Sequence, residues 1–216
     1  SFHVLRTLVE NPLVRESIGT SVLLGILAVA TTSCIGVPLA FLFHRRAFPG
    51  RTVLRALFLL PMLVSPFVGA IGIRQILSRS GSLNLILMKA GLLSDPISWL
   101  GSGFAGIAIM QALHLYPFMF LNMTAALDNF DASCEEASAN LGASPLRTFF
   151  RVTFPLLLPG YFAAASIIFI WAVTDLGTPL VFEYSQLVAV QIFNNLADLN
   201  TNPAGSGLVV LLTVLT

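Results

Sequence analysis

The sequence has 216 residues, of which 56% are hydrophobic and only 10% charged, with a mean hydropathy of +0.88. Soluble domains carry about 25% charge, so an ordinary soluble domain is excluded and a bilayer protein is expected. The formal net charge is +1 and the basic residues are scattered rather than massed, which excludes nucleic acid as a partner.

A hydrocarbon core of about 30 Å needs about 20 mainly apolar residues in helical form. Four stretches are long enough: Ile18 to Phe43, Ala56 to Leu77, Phe104 to Met123 and Leu157 to Phe182. A fifth begins near Gly207. The chain starts without Met and stops at Thr216 inside that apolar run, so it is expected to be a fragment of a longer protein. One compact all-α bundle over residues 1–216 is the simplest reading, because no internal repeat or low-complexity tract divides it. In the first span Ala28, Thr32, Gly36 and Ala40 recur every fourth residue, which gathers small side chains on one face for close helix packing. Pro61 and Pro66 interrupt the second span and predict a kink. Cys34 and Cys134 make neither a disulfide framework nor a metal-ligand pattern.

Orientation follows the Lys and Arg of short connections. Arg45, Arg46, Arg51 and Arg55 crowd the first, and Arg147 and Arg151 lie in the third, whereas Glu183 to Ser206 has none. The first and third connections are therefore expected in the cytoplasm, which places the chain's first residues outside and an earlier helix before Ser1. The outer connections, Ser78 to Ser102 and Glu183 to Ser206, read as surface segments, with Leu187 to Leu196 as either a short strand or an interfacial helix.

The third connection, about Thr124 to Leu156, has its own helical grammar. Asp131 or Ser133 can cap a short helix, Ser133 with Glu136 as a capping box. Gly142 stands where a left-handed C-terminal residue is wanted. Ser144 and Pro145 then open a second helix as N-cap and first residue. In it Arg147 and Arg151 share one side, and Phe150, Phe154 and Leu157 offer an apolar stripe. Pro155 and Pro159 mark a bend toward the next span. A helical shelf over 131–155 results.

Glu136-Ala137-Ser138, then Gly142, then Val152-Thr153-Phe154-Pro155 resembles the E-A-A-x3-G-x9-I-x-L-P loop of ABC importer permeases, the binding-protein-dependent type I class. Ser138, Val152 and Phe154 depart from the pattern mildly, each keeping size class or apolarity. The resemblance implies that the loop docks on a separate ATPase, with Glu136, Ala137 and Gly142 carrying the contact geometry. Ser138, Ala143, Ser144, Pro145 and Pro155 fall in the same coupling segment. It also implies a second permease half, an extracytoplasmic solute-binding protein, and a setting in the inner membrane among lipid. No cofactor is expected in this chain: a Walker A loop needs Gly-Lys-Ser/Thr, and the only lysine is Lys89, between Met88 and Ala90. ATP-Mg would belong to the ATPase. The loop flanks and the stretch Thr174 to Pro179 look most like permeases for ferric iron, phosphonates such as 2-aminoethylphosphonate, thiamine or polyamines.

Ionisable and polar groups inside spans are functional candidates because isolated charge in hydrocarbon is costly. Arg74 and Asp175 each lie about 18 residues into a helix, or about 27 Å at 1.5 Å per residue. An ion pair between them, two unrelated groups, or direct substrate contact all remain open. Gln111 and His114 are three apart and share one helix face, where a hydrogen-bonded core histidine competes with a translocation-path residue. A metal site lacks ligands in the sequence. An enzyme using His114 and Asp175 would need them at matched depth, which the spacing opposes, so no enzymatic activity is expected. An ion-gradient-driven secondary transporter is the other rival.

Overall fold

The computed structural model describes residues 12–100 and 103–196 together with Thr213; the expected fifth span from Gly207, Thr213 apart, lies outside the described residues. Helix α1 spans Pro12–Arg45, α2 Arg51–Leu63, α3 Pro66–Leu77 and α4 Ser82–Lys89. Helix α5 spans Gly103–Asp128, and the two short helices α6 and α7 span Ser133–Asn140 and Pro145–Thr148. A π-helical turn over Phe149–Thr153 leads into α8, Phe154–Thr174. Helices α9, Gly177–Val181, and α10, Val188–Leu196, follow, so Leu187 to Leu196 resolves as a helix rather than a strand.

Helices α1, α5 and α8 form the core. The small-residue face of α1 is realised: Ala28, Thr32, Gly36 and Ala40 are all buried. A Cβ on Gly36 would stand 2.8 Å from the Met119 Cβ and 3.0 Å from the Phe120 backbone nitrogen, so only glycine lets the two helices approach this closely. Thr32 returns its hydroxyl to the Ala28 carbonyl at 2.7 Å and so satisfies its own polar group on that face. Lipid tails are as apolar as side chains, so van der Waals contact between surfaces, rather than escape from water, holds such helices together. At one end of the bundle the Phe43 ring meets Phe48, Phe58 and Phe120 edge-on at 5.4, 5.8 and 5.5 Å. Each such pair contributes about 0.5–1.5 kcal/mol beyond its buried area.

The ends of the helices fix the course of the chain. His44 and Asp128 meet at 3.0 Å, so α1 and α5 finish at the same end and run parallel. Gln111, near the start of α5, donates to the Ala172 carbonyl near the finish of α8 at 3.0 Å, so α8 runs back. The segment between α1 and α5 must then traverse the bundle, and α2 with α3 is one broken span.

That break is sharper than the expected kink. The arms Arg51–Leu63 and Pro66–Lys89 are bent by 97°. Pro66 drives Ser65 out of the helical region, to φ −56° and ψ 133°, and Val64 is extended as well. Pro61 stays inside α2. The fourth span also differs from the continuous Leu157 to Phe182 expected, because α8 stops at Thr174 and Asp175 starts a new turn.

Between α3 and α5, Asn84 is 1% exposed. Its amide donates to the Ser78, Arg79 and Ile97 carbonyls and accepts from the Ile97 N–H and the Trp99 indole. The expected surface connection is therefore a folded hairpin with a polar hub.

Candidate functional site

The shelf over 131–155 is built as a rigid elbow. Asp131 Oδ1 accepts the Ser133 N–H at 2.9 Å, so Asp131 caps α6 and the alternative Ser133–Glu136 capping box is not formed. The same hydrogen bond, with the Ser133 hydroxyl in support, holds the Asp131 carboxyl below the usual aspartate value. At the other end Gly142 has φ +79°. Its N–H reaches the Ala139 carbonyl at 2.9 Å and the Ala143 N–H reaches Ser138 at 3.2 Å, the paired bonds of a Schellman stop. Ser144 is extended, Pro145 opens α7, and Ser138 and Thr148 share a hydroxyl hydrogen bond of 2.9 Å that ties α6 to α7.

The two adjacent glutamates diverge. Glu135 turns inward, where Oε1 accepts from Arg45 at 2.7 Å and from the buried Thr153 hydroxyl at 2.5 Å. Glu136 and Ala137 stand at the outer side of the elbow, both exposed. Leu141 and Leu146, which have no distinguishing signal in the sequence, are 89% and 70% exposed on the same elbow. The expected stripe of Phe150, Phe154 and Leu157 is not one face: Phe150 is 61% exposed and Leu157 1%. The cause is the π turn, where the Phe154 N–H bonds back five residues to Phe149 and shifts the register. Pro155 has no N–H to give, and its ring crowds the carbonyl four residues back. The chain widens there instead of bending.

Toward the opposite end lies a cavity of about 280 Å³. Gln111 and His114 of α5 share its wall with Trp171, Thr174 and Asp175 at the end of α8, and Pro66 and Thr178 complete it. Irregular backbone at membrane depth is tolerated where it lines such a space, and the break before Pro66 does so. Gln111 is 3% exposed; its Oε1 is buried and has no hydrogen-bond partner among the described residues. The His114 ring faces the Pro61 carbonyl and lies in the field of Asp175. Asp175 Oδ1 accepts the Gly177 and Thr178 N–H groups at 3.0 and 3.4 Å.

Three of the four polar residues expected to matter in the spans, Gln111, His114 and Asp175, thus converge. The fourth, Arg74, does not. It bonds the Val181 carbonyl and pairs with Glu183 at 2.8 Å, so the Arg74–Asp175 ion pair is overturned: Asp175 is engaged by the α9 N-terminus and Glu183 is nearer. Of the aromatic residues, Tyr116 donates to the Phe58 carbonyl at 2.7 Å and Phe118 packs edge-on against Trp171 at 4.6 Å, as packing groups should. Trp171, Thr178 and Pro66 are cavity residues that the sequence does not announce. A polar residue one turn before Asp175 would have pointed to that face, and Trp171 is only one aromatic in an aromatic-rich helix.

Residues 33–216 match the family described as binding-protein-dependent transport system inner membrane component. The putative ferric transport system permease protein FbpB 1 of Haemophilus influenzae is 33% identical over 193 residues, which is 88% of this chain and 30% of that protein. The spermidine/putrescine transport system permease protein PotB of the same organism is 34% identical over 160 residues, 73% of this chain and 55% of the relative. The molybdenum transport system permease protein ModB of Mycobacterium tuberculosis is 31% identical over 163 residues, 74% of this chain and 59% of the relative. The chain therefore spans between 30% and 59% of the length of these relatives. A crystal structure of a bacterial ABC transporter involved in the import of the acidic polysaccharide alginate shares the fold, with a TM-score of 0.75 at 19% identity over 99% of this chain and 79% of that one. With the match over residues 33–216, the chain belongs to the binding-protein-dependent transport system inner membrane component family.

Proposed function

We propose that the chain is the membrane-spanning part of the permease of an ATP-driven importer, and that the elbow at 131–155 receives the stroke of a separate ATPase in the cytoplasm. The observation that carries this is the division of labour within the elbow. Glu135, Ser138 and Thr148 are turned inward to brace it, and Glu136, Ala137, Leu141 and Leu146 are left untied for a partner. Ala143, Ser144, Pro145 and Pro155 set its turns. A braced elbow moves as one body and passes displacement to α8 through the π turn; a mobile loop would dissipate it. ATP-Mg sits on the ATPase, a second permease half completes the path, and a solute-binding protein delivers cargo at the opposite face of the inner membrane. The cavity beside Gln111, His114 and Asp175 is a station on that path.

The relatives named above are permeases for ferric, spermidine/putrescine and molybdenum transport, so family membership does not choose the cargo. It does set the chain among transport permeases rather than membrane enzymes. The test is cross-linking: Ala137→Cys in the full permease is expected to form a disulfide with a single cysteine placed in the ATPase groove, dependent on nucleotide. Labelling of Ala137→Cys from the outer face of intact cells would overturn the reading, and so would uptake driven by an ion gradient without ATP.

A further inference from the structure

The geometry points to a cargo class: we infer that the cavity holds a protonated alkylamine, an ammonium head on a slender apolar chain. This rests on the cavity being a station for transported solute. Its wall leaves a buried amide oxygen and a carboxylate oxygen without donors. The Gln111 amide donates to the Ala172 carbonyl at 3.0 Å and the Thr174 hydroxyl to Ile170 at 2.7 Å. His114 faces the Pro61 carbonyl. Two acceptors are left over beside the neutral donors of the wall: Gln111 Oε1, buried with no partner among the described residues, and Asp175 Oδ2, since both backbone bonds to that carboxylate fall on Oδ1. A buried acceptor without a donor is costly, and an occupant that brings N–H groups removes the cost.

Charge leads to the same class. Asp175 is the only carboxylate in the wall, and neither lysine nor arginine lines it. The one positive helix end close by, the start of α9, is already taken by Asp175 itself. An oxyanion would find neutral donors at most, the Trp171 indole and the Thr178 hydroxyl, beside a carboxylate. A hard metal cation needs several oxygen ligands, and no group of three His, Cys, Asp or Glu side chains stands together among the described residues. An ammonium head asks for less. It takes the two spare acceptors and the face of Trp171, which is 46% exposed. The alkyl chain lies along Met110, Leu115 and Pro66.

The test is equilibrium binding of radiolabelled putrescine to the full permease–ATPase complex in nanodiscs of phosphatidylcholine, which carries no primary amine. Saturable binding is expected, weakened by about tenfold or more in Asp175→Asn and in Gln111→Leu. Gln111→Glu in the Asp175→Asn background should restore it by returning one negative charge, a result that general misfolding would not give. Molybdate binding that the same variants abolish would overturn the inference. So would displacement of putrescine by added phosphatidylethanolamine, which would give the cavity to a lipid head group. If discs that bind no putrescine still cross-link Ala137→Cys to the ATPase, the ammonium site is wrong while the transport reading stands; loss of both sinks the two together.

Discussion

Arg74 reaches from α3 across to Glu183, at 2.8 Å, and the same guanidinium bonds the Val181 carbonyl at the end of α9. Glu183 is the only non-glycine residue with positive φ, 56°, among those described. A short helix and a turn in an uncommon backbone conformation are thus pinned by one side chain. The Glu183 side chain is 76% exposed, so the ion pair itself contributes no more than about 1 kcal/mol. Its effect should be local. Arg74→Ala is expected to speed amide hydrogen exchange at Val181 to Tyr184 by about tenfold, or about 1.4 kcal/mol of local opening. The α1–α5 core should exchange as before. Uniform acceleration over the whole bundle would contradict this.

Packing between α1 and α5 makes a second prediction. A Cβ at Gly36 would meet the Met119 Cβ at 2.8 Å and a backbone nitrogen at 3.0 Å, and the backbone cannot rotate away. Gly36→Ala should lower stability by about 1–3 kcal/mol, read from unfolding of the purified protein in detergent. Gly19 lies on the same helix, and a Cβ there would have nothing within 4 Å. Gly19→Ala should instead stabilise by about 0.5–1 kcal/mol.

At Gly142 the constraint is conformational rather than steric. Nothing lies within 4 Å of a Cβ there, and φ is +79°. Gly142→Val should cost about 1–2 kcal/mol in the left-handed region, enough to misalign α6 and α7 while the spans insert normally. Cargo-stimulated ATP hydrolysis should be lost in Gly142→Val and largely kept in Gly142→Asn, since asparagine tolerates this region. Equal activity of the two variants would show that the turn does not set coupling.

The elbow was legible in the sequence because capping is local chemistry: Asp131, Gly142, Ser144 and Pro145 each act within four residues of their own position. The close face of α1 was legible for a similar reason, since small residues at every fourth position have one geometric meaning. The break before Pro66 read only as a kink, because two prolines five apart do not say which one the tertiary contacts will let the helix keep. Likewise, Arg74 and Asp175 were placed at the same depth, and depth alone cannot choose a partner around the bundle. The choice was made by the turn after α8, which gave Asp175 two backbone N–H groups and brought Glu183 to Arg74. The cavity needed three segments far apart in sequence and had no local signal.

Acid should loosen the elbow at Asp131. Its carboxyl is held below the usual value by the Ser133 N–H, so the folded value lies under the unfolded one of about 3.9. A depressed carboxyl stabilises above its unfolded value, and the benefit is lost as pH falls through the folded value. Amide exchange in α6, corrected for its intrinsic pH dependence, should therefore be flat from neutral pH to about 4 and rise below that. Asp131→Asn keeps an acceptor for the same N–H and should remove the rise; if the rise persists, another carboxyl governs it.

The adjacent glutamates offer the sharpest separation of structure from coupling. Glu135 holds Arg45 of α1 and Thr153 of the π turn with one oxygen, so it joins the first span to the entry of α8. Thr153 is fully buried, and hydrogen bonds to a charged acceptor contribute about 1.5–3 kcal/mol. Glu135→Ala should accordingly destabilise the protein by about 1–3 kcal/mol, with the partly exposed Arg45 pair supplying the lesser share. Glu136 sits one position on in the same helix, in its first turn, and its removal should leave unfolding unchanged within about 0.5 kcal/mol. In the complex the order should reverse: Glu136→Ala should weaken ATPase binding at unchanged fold, and Glu135→Ala should weaken it only as far as its lost stability accounts for. Unfolding curves and ATPase pull-downs on both variants decide the matter. If Glu136→Ala proves the destabilising one, the inward and outward roles given to the pair are reversed, and the face offered to the motor must be redrawn.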